Sequence, residues 1–222
     1  MIVQIYTAQS AAEAVALADL GVEHVGLTPT TIGLPGQISE AVAIEAVAAL
    51  RDRARSVALT VEPDPDEIVR MALAVRPDIL HLCAEVGAVD ADAVRALRRR
   101  LPGDLEIMQA IAVGHPDDLA MAREYAAVCD YLILDSYTTD VQGVGAAGVT
   151  HDWSRSAAIV AGAEIPVILA GGLSAGNVAE AIAAVAPWGV DSLTHTNRPL
   201  GDDRFEKDLE AVAAFVAAAR AA

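Results

Sequence analysis

The stretch IPVILAGGLSAGNVAEAI, residues 165–182, decides how the rest of the chain is read. Its apolar run PVILA (166–170) has the length of a buried strand and stops at Gly171 and Gly172. The segment AGNVAEAIAAV (175–185) then places Val178, Ala181, Ile182 and Val185 at helical spacing. Strand, glycine turn, helix: this is one β/α unit. Paired glycines let the backbone approach a ligand without Cβ obstruction. The free N–H groups of the helix start that follows, near Ser174 and Asn177, favour an anion.

The same unit recurs along the chain. IVQIY (2–6) leads to a helix that stops at Gly21, and HVGLT (24–28) leads through a Pro/Gly-rich loop to EAVAIEAVAAL (40–50). VALTVE (57–62) precedes DPDEIVRMALAV (64–75), where Asp64 and Pro65 make a good helix start. DILHLC (78–83) precedes ADAVRALRRRL (91–101), and LEIMQAIAV (105–113) precedes PDDLAMAREYAAV (116–128). YLILDS (131–136) is followed by a long Gly-containing loop and WSRSAAIVAG (153–162). GVDSLT (189–194) precedes a last helix expected over 202–220. Strands alternating with helices imply right-handed crossovers and a parallel sheet. Eight such units predict an α/β fold, a closed (β/α)8 TIM barrel forming a single domain over residues 1–222. An open doubly wound sheet would carry a glycine fingerprint after its first strand, and IYTAQS has none.

Composition excludes several function classes. With 54% hydrophobic residues but only 4% aromatic, the core of this 222-residue chain is aliphatic. A formal net charge of −16 argues against nucleic acid and against anionic membranes, both of which need a basic footprint. Any anion site must therefore be local, built from backbone N–H groups. No apolar run is long enough to span a bilayer, and the start lacks a secretory pattern. Two cysteines, Cys83 and Cys129, make no disulfide framework, so a cytoplasmic setting is expected.

From about residue 78 onward the chain resembles phosphoribosylanthranilate isomerase, on YLILDS, GAAGVTHDW, PVILAGGLSAGNVAEAI and GVDSLTHTNRPLGDDRFEKD. The family has a strand ending in Leu-Leu-Asp-Ser, a Gly-Gly-Thr-Gly loop with Phe-Asp-Trp beyond it, an Ala-Gly-Gly-Leu turn and a Gly-Val-Asp strand. The resemblance implies a barrel that opens a phosphoribosyl amine and shifts hydrogen between neighbouring carbons. Such a reaction needs a general acid for the ring oxygen and a general base for the carbon-bound proton. Asp135 stands where the family has its acid. The family's base, a Cys in a Lys-Ile-Cys-Gly run, is matched by Tyr6 in Gln4-Ile5-Tyr6-Thr7. Its Ser-Pro-Arg reads Leu34-Pro35-Gly36, its Gln-Leu-His-Gly reads His81-Leu82-Cys83-Ala84, and its glycine loop survives at Gly145 and Gly148.

Several polar residues are then expected at one mouth. His81 and Cys83, two apart on a strand, point the same way. Tyr6, His81, Cys83 and Asp135 are the candidate proton-transfer groups, with His81 the natural acid/base near neutral pH. Gln4, Glu62 and Gln109 (where the family often has Lys) are candidate substrate contacts. The turns Gly171-Gly172-Leu173 and Thr194-His195-Thr196 are expected to hold phosphate. H-x-C is no recognised zinc signature, so neither a metal nor a cofactor is expected. His24 and His115 read as solvated or capping groups, and Cys129 as filler. The expected function is isomerisation of a small phosphorylated sugar-type metabolite by a monomer or homodimer. The alternative is a barrel that binds a metabolite or partner protein without catalysis.

Overall fold

The computed structural model describes residues 1–137, 150–202 and 204–222. Eight parallel strands close on themselves in sequence order, β1 to β8, with β8 pairing back onto β1. They are β1 (Ile2–Ile5), β2 (His24–Leu27), β3 (Arg55–Thr60), β4 (Ile79–Leu82), β5 (Glu106–Val113), β6 (Tyr131–Ser136), β7 (Val167–Leu169) and β8 (Gly189–Ser192). Around them run α1 (Ala11–Asp19), α2 (Glu40–Leu50), α3 (Pro65–Val75), α4 (Ala91–Arg98), α5 (Asp118–Ala126), α6 (Trp153–Gly162), α7 (Val178–Val185) and α8 (Leu209–Ala221). The TIM barrel expected from the repeating unit is the observed fold. No helix among the described residues is long and apolar enough to cross a membrane.

Helix starts follow local chemistry. Ser10, Ser39, Asp64, Asp90, Asp152 and Asp208 each accept a hydrogen bond from a backbone N–H of the first turn. Pro65 occupies the first position of α3, where its missing N–H costs nothing.

Alternation along the strands divides the core in two. Outward residues such as Val3, Ile5, Ile107 and Ile111 pack beneath the helices. Inward residues such as Val57, Ile79, Met108, Ala110, Ile133 and Ile168 fill the lumen. A polar layer closes the N-terminal end of the barrel. It consists of Arg55, Glu106 and Tyr131, each the first residue of its strand. Arg55 donates to Glu106 at 2.5 Å and to the Tyr131 hydroxyl at 2.9 Å. His24 is buried beside them against Tyr131 and Trp188, with its Nδ1 3.3 Å from the side-chain Oε1 of Gln4. It is therefore a core histidine and not the solvated one expected.

The last unit departs from expectation. An antiparallel hairpin, β9 (Asn197–Gly201) and β10 (Arg204–Lys207), follows a short 3₁₀ turn over Thr194–Thr196, and its second strand takes up the stretch read as the start of the helix. Its turn contains two left-handed residues, Gly201 (φ 87°) and Asp202 (φ 51°). The helix proper begins only after the Asp208 cap.

Candidate active site

The C-terminal ends of the strands enclose a cleft of about 830 Å³, its mouth included. Tyr6, His81, Cys83, Asp135 and Asp191 all reach it, and so do the turn Gly171–Leu173 and the pair Thr194 and His195. Most of the remaining wall is aliphatic, from Leu34, Leu59, Val61, Ile133 and Leu193.

Tyr6 and His81 form one unit, with the phenol oxygen 2.8 Å from His81 Nδ1. Burial holds the phenol well above its ordinary pKa of 10 and lowers the imidazole to about 3. Both are therefore neutral, and one hydrogen bond joins the phenol oxygen to Nδ1. The other ring nitrogen, Nε2, is buried and has no partner among the described residues. The expectation that His81 titrates near neutral pH is thus corrected: desolvation keeps the ring neutral. Cys83, 4% exposed, lies two residues further along the same strand face and lines the same cleft.

Asp135, half-buried in β6, accepts the Ser136 N–H at 2.7 Å. Asp191 in β8 is 6% exposed, and its Oδ1 has no partner among the described residues. Burial first, and the Asp135 charge second, raise its pKa to about 8; Gln4 and Lys207 act in the opposite direction. The sequence candidates missed Asp191. Its signal was the Gly-Val-Asp strand itself, where an acid falls at a lumen-facing position between buried glycine and leucine.

Other candidates lie elsewhere. Gln109 shares the outward face of β5 with Ile107 and Ile111, and its amide donates to the Ala110 carbonyl at 3.0 Å. It cannot meet a ligand in the lumen. Glu62 follows Thr60 on the outward face and lines a neighbouring groove with Glu67 and Arg70. Gln4 points inward but lies below the cleft, paired across strands with Asp191. Thr196 is buried against the Leu193 carbonyl and Lys207. Gly145 and Gly148 fall outside the described residues. Gly171 (φ 85°) lines the cleft, but its lack of a side chain has an internal cause. A Cβ there would stand 2.8 Å from both the His151 ring and the Ser136 hydroxyl, which lie 3.2 Å apart.

Lys207, the chain's only lysine, was also missed. It is buried beside the mouth, where its ammonium bonds the Tyr6 carbonyl, Thr196 and Asn197. No Arg or Lys among the described residues lines the cleft, and residues 138–149 contain none. At Gly36, where the resembling family carries arginine, a Cβ would overlap Thr7 and lie 2.7 Å from Phe205. Among the described residues no group of three or more His, Cys, Asp or Glu is placed to hold a metal ion.

A sequence model of N-(5'-phosphoribosyl)anthranilate isomerase matches residues 3–217. The chain belongs to the phosphoribosylanthranilate isomerase family. The isomerase of that name from Haloferax volcanii is 36% identical over 203 residues, 91% of this chain and 85% of the relative. Solved isomerase structures share the fold. Monomers of the dimeric Thermotoga maritima protein superpose with a TM-score of 0.80 at 22% identity, covering all of both chains. A phosphoribosylanthranilate isomerase in complex with reduced 1-(o-carboxyphenylamino)-1-deoxyribulose 5-phosphate gives 0.77 at 21%, again over all of both chains.

Proposed function

We propose that this protein isomerises an N-(5'-phosphoribosyl) arylamine to the corresponding 1-amino-1-deoxyribulose 5-phosphate, with phosphoribosylanthranilate as the first substrate to test. The observation that carries the reading is the placement of Asp135 and Asp191 in one cleft, on the strands that flank the Gly171–Leu173 turn, in a chain of this family. The phosphate sits on the turns after β7 and β8, where backbone N–H groups serve an acidic protein that has no basic patch to offer. The ribose then extends across the lumen. Asp135 protonates the ring oxygen as the C1–O bond opens, and the neutral His81 ring faces the sugar hydroxyls as a hydrogen-bond partner.

Purified protein mixed with fluorescent phosphoribosylanthranilate should consume it, and Asp135→Asn should lower kcat by about 10²–10⁴. No turnover by the parent, with the fold intact, overturns the assignment. One observation favours a narrower reading of the substrate: among the described residues the cleft has no Arg or Lys for an aryl carboxylate. Faster turnover of the phosphoribosyl amine of aniline than of anthranilate would establish that variant.

A further inference from the structure

We infer that Asp191 is the general base of this isomerisation, working with Asp135 as a carboxylate pair that holds one proton between them; the inference rests on the isomerase reading above. The strand-one position that resembles the family's cysteine holds Tyr6, and Tyr6 is not available as a base. Its phenol is neutral and committed to His81 Nδ1 at 2.8 Å. His81 is excluded in turn, because Nδ1 is committed to the phenol and burial leaves the ring, with a pKa of about 3, too weak a base to take a proton from carbon. Asp191 is a carboxyl group in a side chain that lines the cleft: the Gln4 side chain favours its charged form from below, and its buried Oδ1 has no partner among the described residues.

The two acids are placed to work in sequence. Leu134 pairs with Leu169, and Leu169 with Val190, so Asp135 and Asp191 follow in the same row with only the small Ala170 on the strand between. The groups facing Asp191 are Asp135 from β6, Tyr6 from β1 and Lys207 from β10, with Gln4 beneath it. Two carboxylates this coupled and this buried do not both ionise at neutral pH, and their titration belongs to the pair.

One proton is enough for the chemistry. At rest that proton is on Asp191; substrate binding passes it to Asp135, which gives it to the ring oxygen as C1–O breaks and leaves a C1–N iminium whose charge offsets the two carboxylates. Asp191 removes the proton on C2, whose electrons form the C1–C2 double bond of a neutral enolamine. C1 then gains a proton as the C2 hydroxyl loses one, giving the ketone. The pair again holds one proton, and no oxidant, reductant or metal is consumed.

The test is Asp191→Asn beside Tyr6→Phe and Cys83→Ser, with phosphoribosylanthranilate and its C2-deuterated form. Binding of the reduced ketose product analogue checks that each variant keeps its site. Expected for Asp191→Asn is a 10²- to 10⁴-fold loss in kcat with KM within a few-fold. The residual rate should carry a primary isotope effect on C2, a signature that a merely structural role would not produce. Tyr6→Phe and Cys83→Ser should each retain more than a tenth of kcat. If Asp191→Asn keeps more than a tenth, or Cys83→Ser loses as much as Asp191→Asn should, the assignment of the base falls while the isomerase reading stands. An inert parent overturns both.

Discussion

Tyr6 enters the lumen only because Gly26 leaves room for it. A Cβ at Gly26, on the neighbouring strand, would overlap the tyrosine ring along its Cγ–Cδ1–Cε1 edge. A glycine inside a strand often marks such a close approach. Gly26→Ala should therefore cost about 1–3 kcal/mol of stability through overpacking. In a Tyr6→Cys background, where the ring is gone, the same change should cost less than about 0.5 kcal/mol. Urea unfolding of the four proteins measures the coupling, and equal costs in both backgrounds would refute the packing argument. Reading single residues from sequence had a clear limit here. Tyr6, His81, Cys83 and Asp135 were brought together as their strand positions implied, because period two fixes which side chains share a face. Gln109 and Glu62 failed by the same rule, each one residue out of phase with the lumen. Nothing in the letters gave that phase until Met108 and Val61 were seen to occupy the interior.

At the scale of elements, the hairpin β9–β10 sets this barrel's mouth. It places Phe205 against Gly36 and brings Lys207 beneath the Tyr6 carbonyl, so one element braces the ends of β1 and the loop after β2. Because Lys207 is the only lysine, amine chemistry reads the brace directly. Burial lowers the pKa of the Lys207 amine to about 7, so the hairpin's cover and not the charge protects it: an acylating reagent at neutral pH should modify the native chain once, at the α-amine, and the unfolded chain twice. A second modification of the native protein, as fast as the first, would mean that the hairpin does not hold the ammonium. The sequence did not reveal this element. The segment GDDRFEKDLEAV reads as helical because its charges and apolar residues suit both periods. What ends the ambiguity is tertiary: the left-handed turn at Gly201–Asp202 and a buried ammonium with three oxygen partners. The eight β/α units carried no such ambiguity, since strand and helix periods alternate cleanly along the chain.

At the scale of the molecule, three buried groups set opposing pH dependences. His24 and His81 are held neutral, with pKa values near 4 and 3 against an ordinary 6.5. The unfolded chain binds their protons first, so their contribution is complete above pH 6.5 and is lost as pH falls. Asp191, raised to about 8 from 3.8, works the other way. The folded chain keeps its proton, so its contribution is complete below 3.8 and is lost as pH rises towards 8. Between pH 4 and 6.5 the two histidines outweigh the one acid by a single proton. From these groups, stability should therefore climb by about 1.4 kcal/mol per pH unit. The variants separate the contributions from the titration of the acidic surface, which all of them share. Relative to the parent, His24→Gln should flatten the climb by about 1.4 kcal/mol per unit, and Asp191→Asn should steepen it by a similar amount. Denaturant unfolding at pH 4.5, 5.5 and 6.5 gives the three slopes. A parent and a His24→Gln variant with the same slope would mean that the floor of the barrel accepts a charged imidazole. The polar layer beneath the site would then be wet, and the desolvation assigned to Asp191 directly above it would have to be reduced.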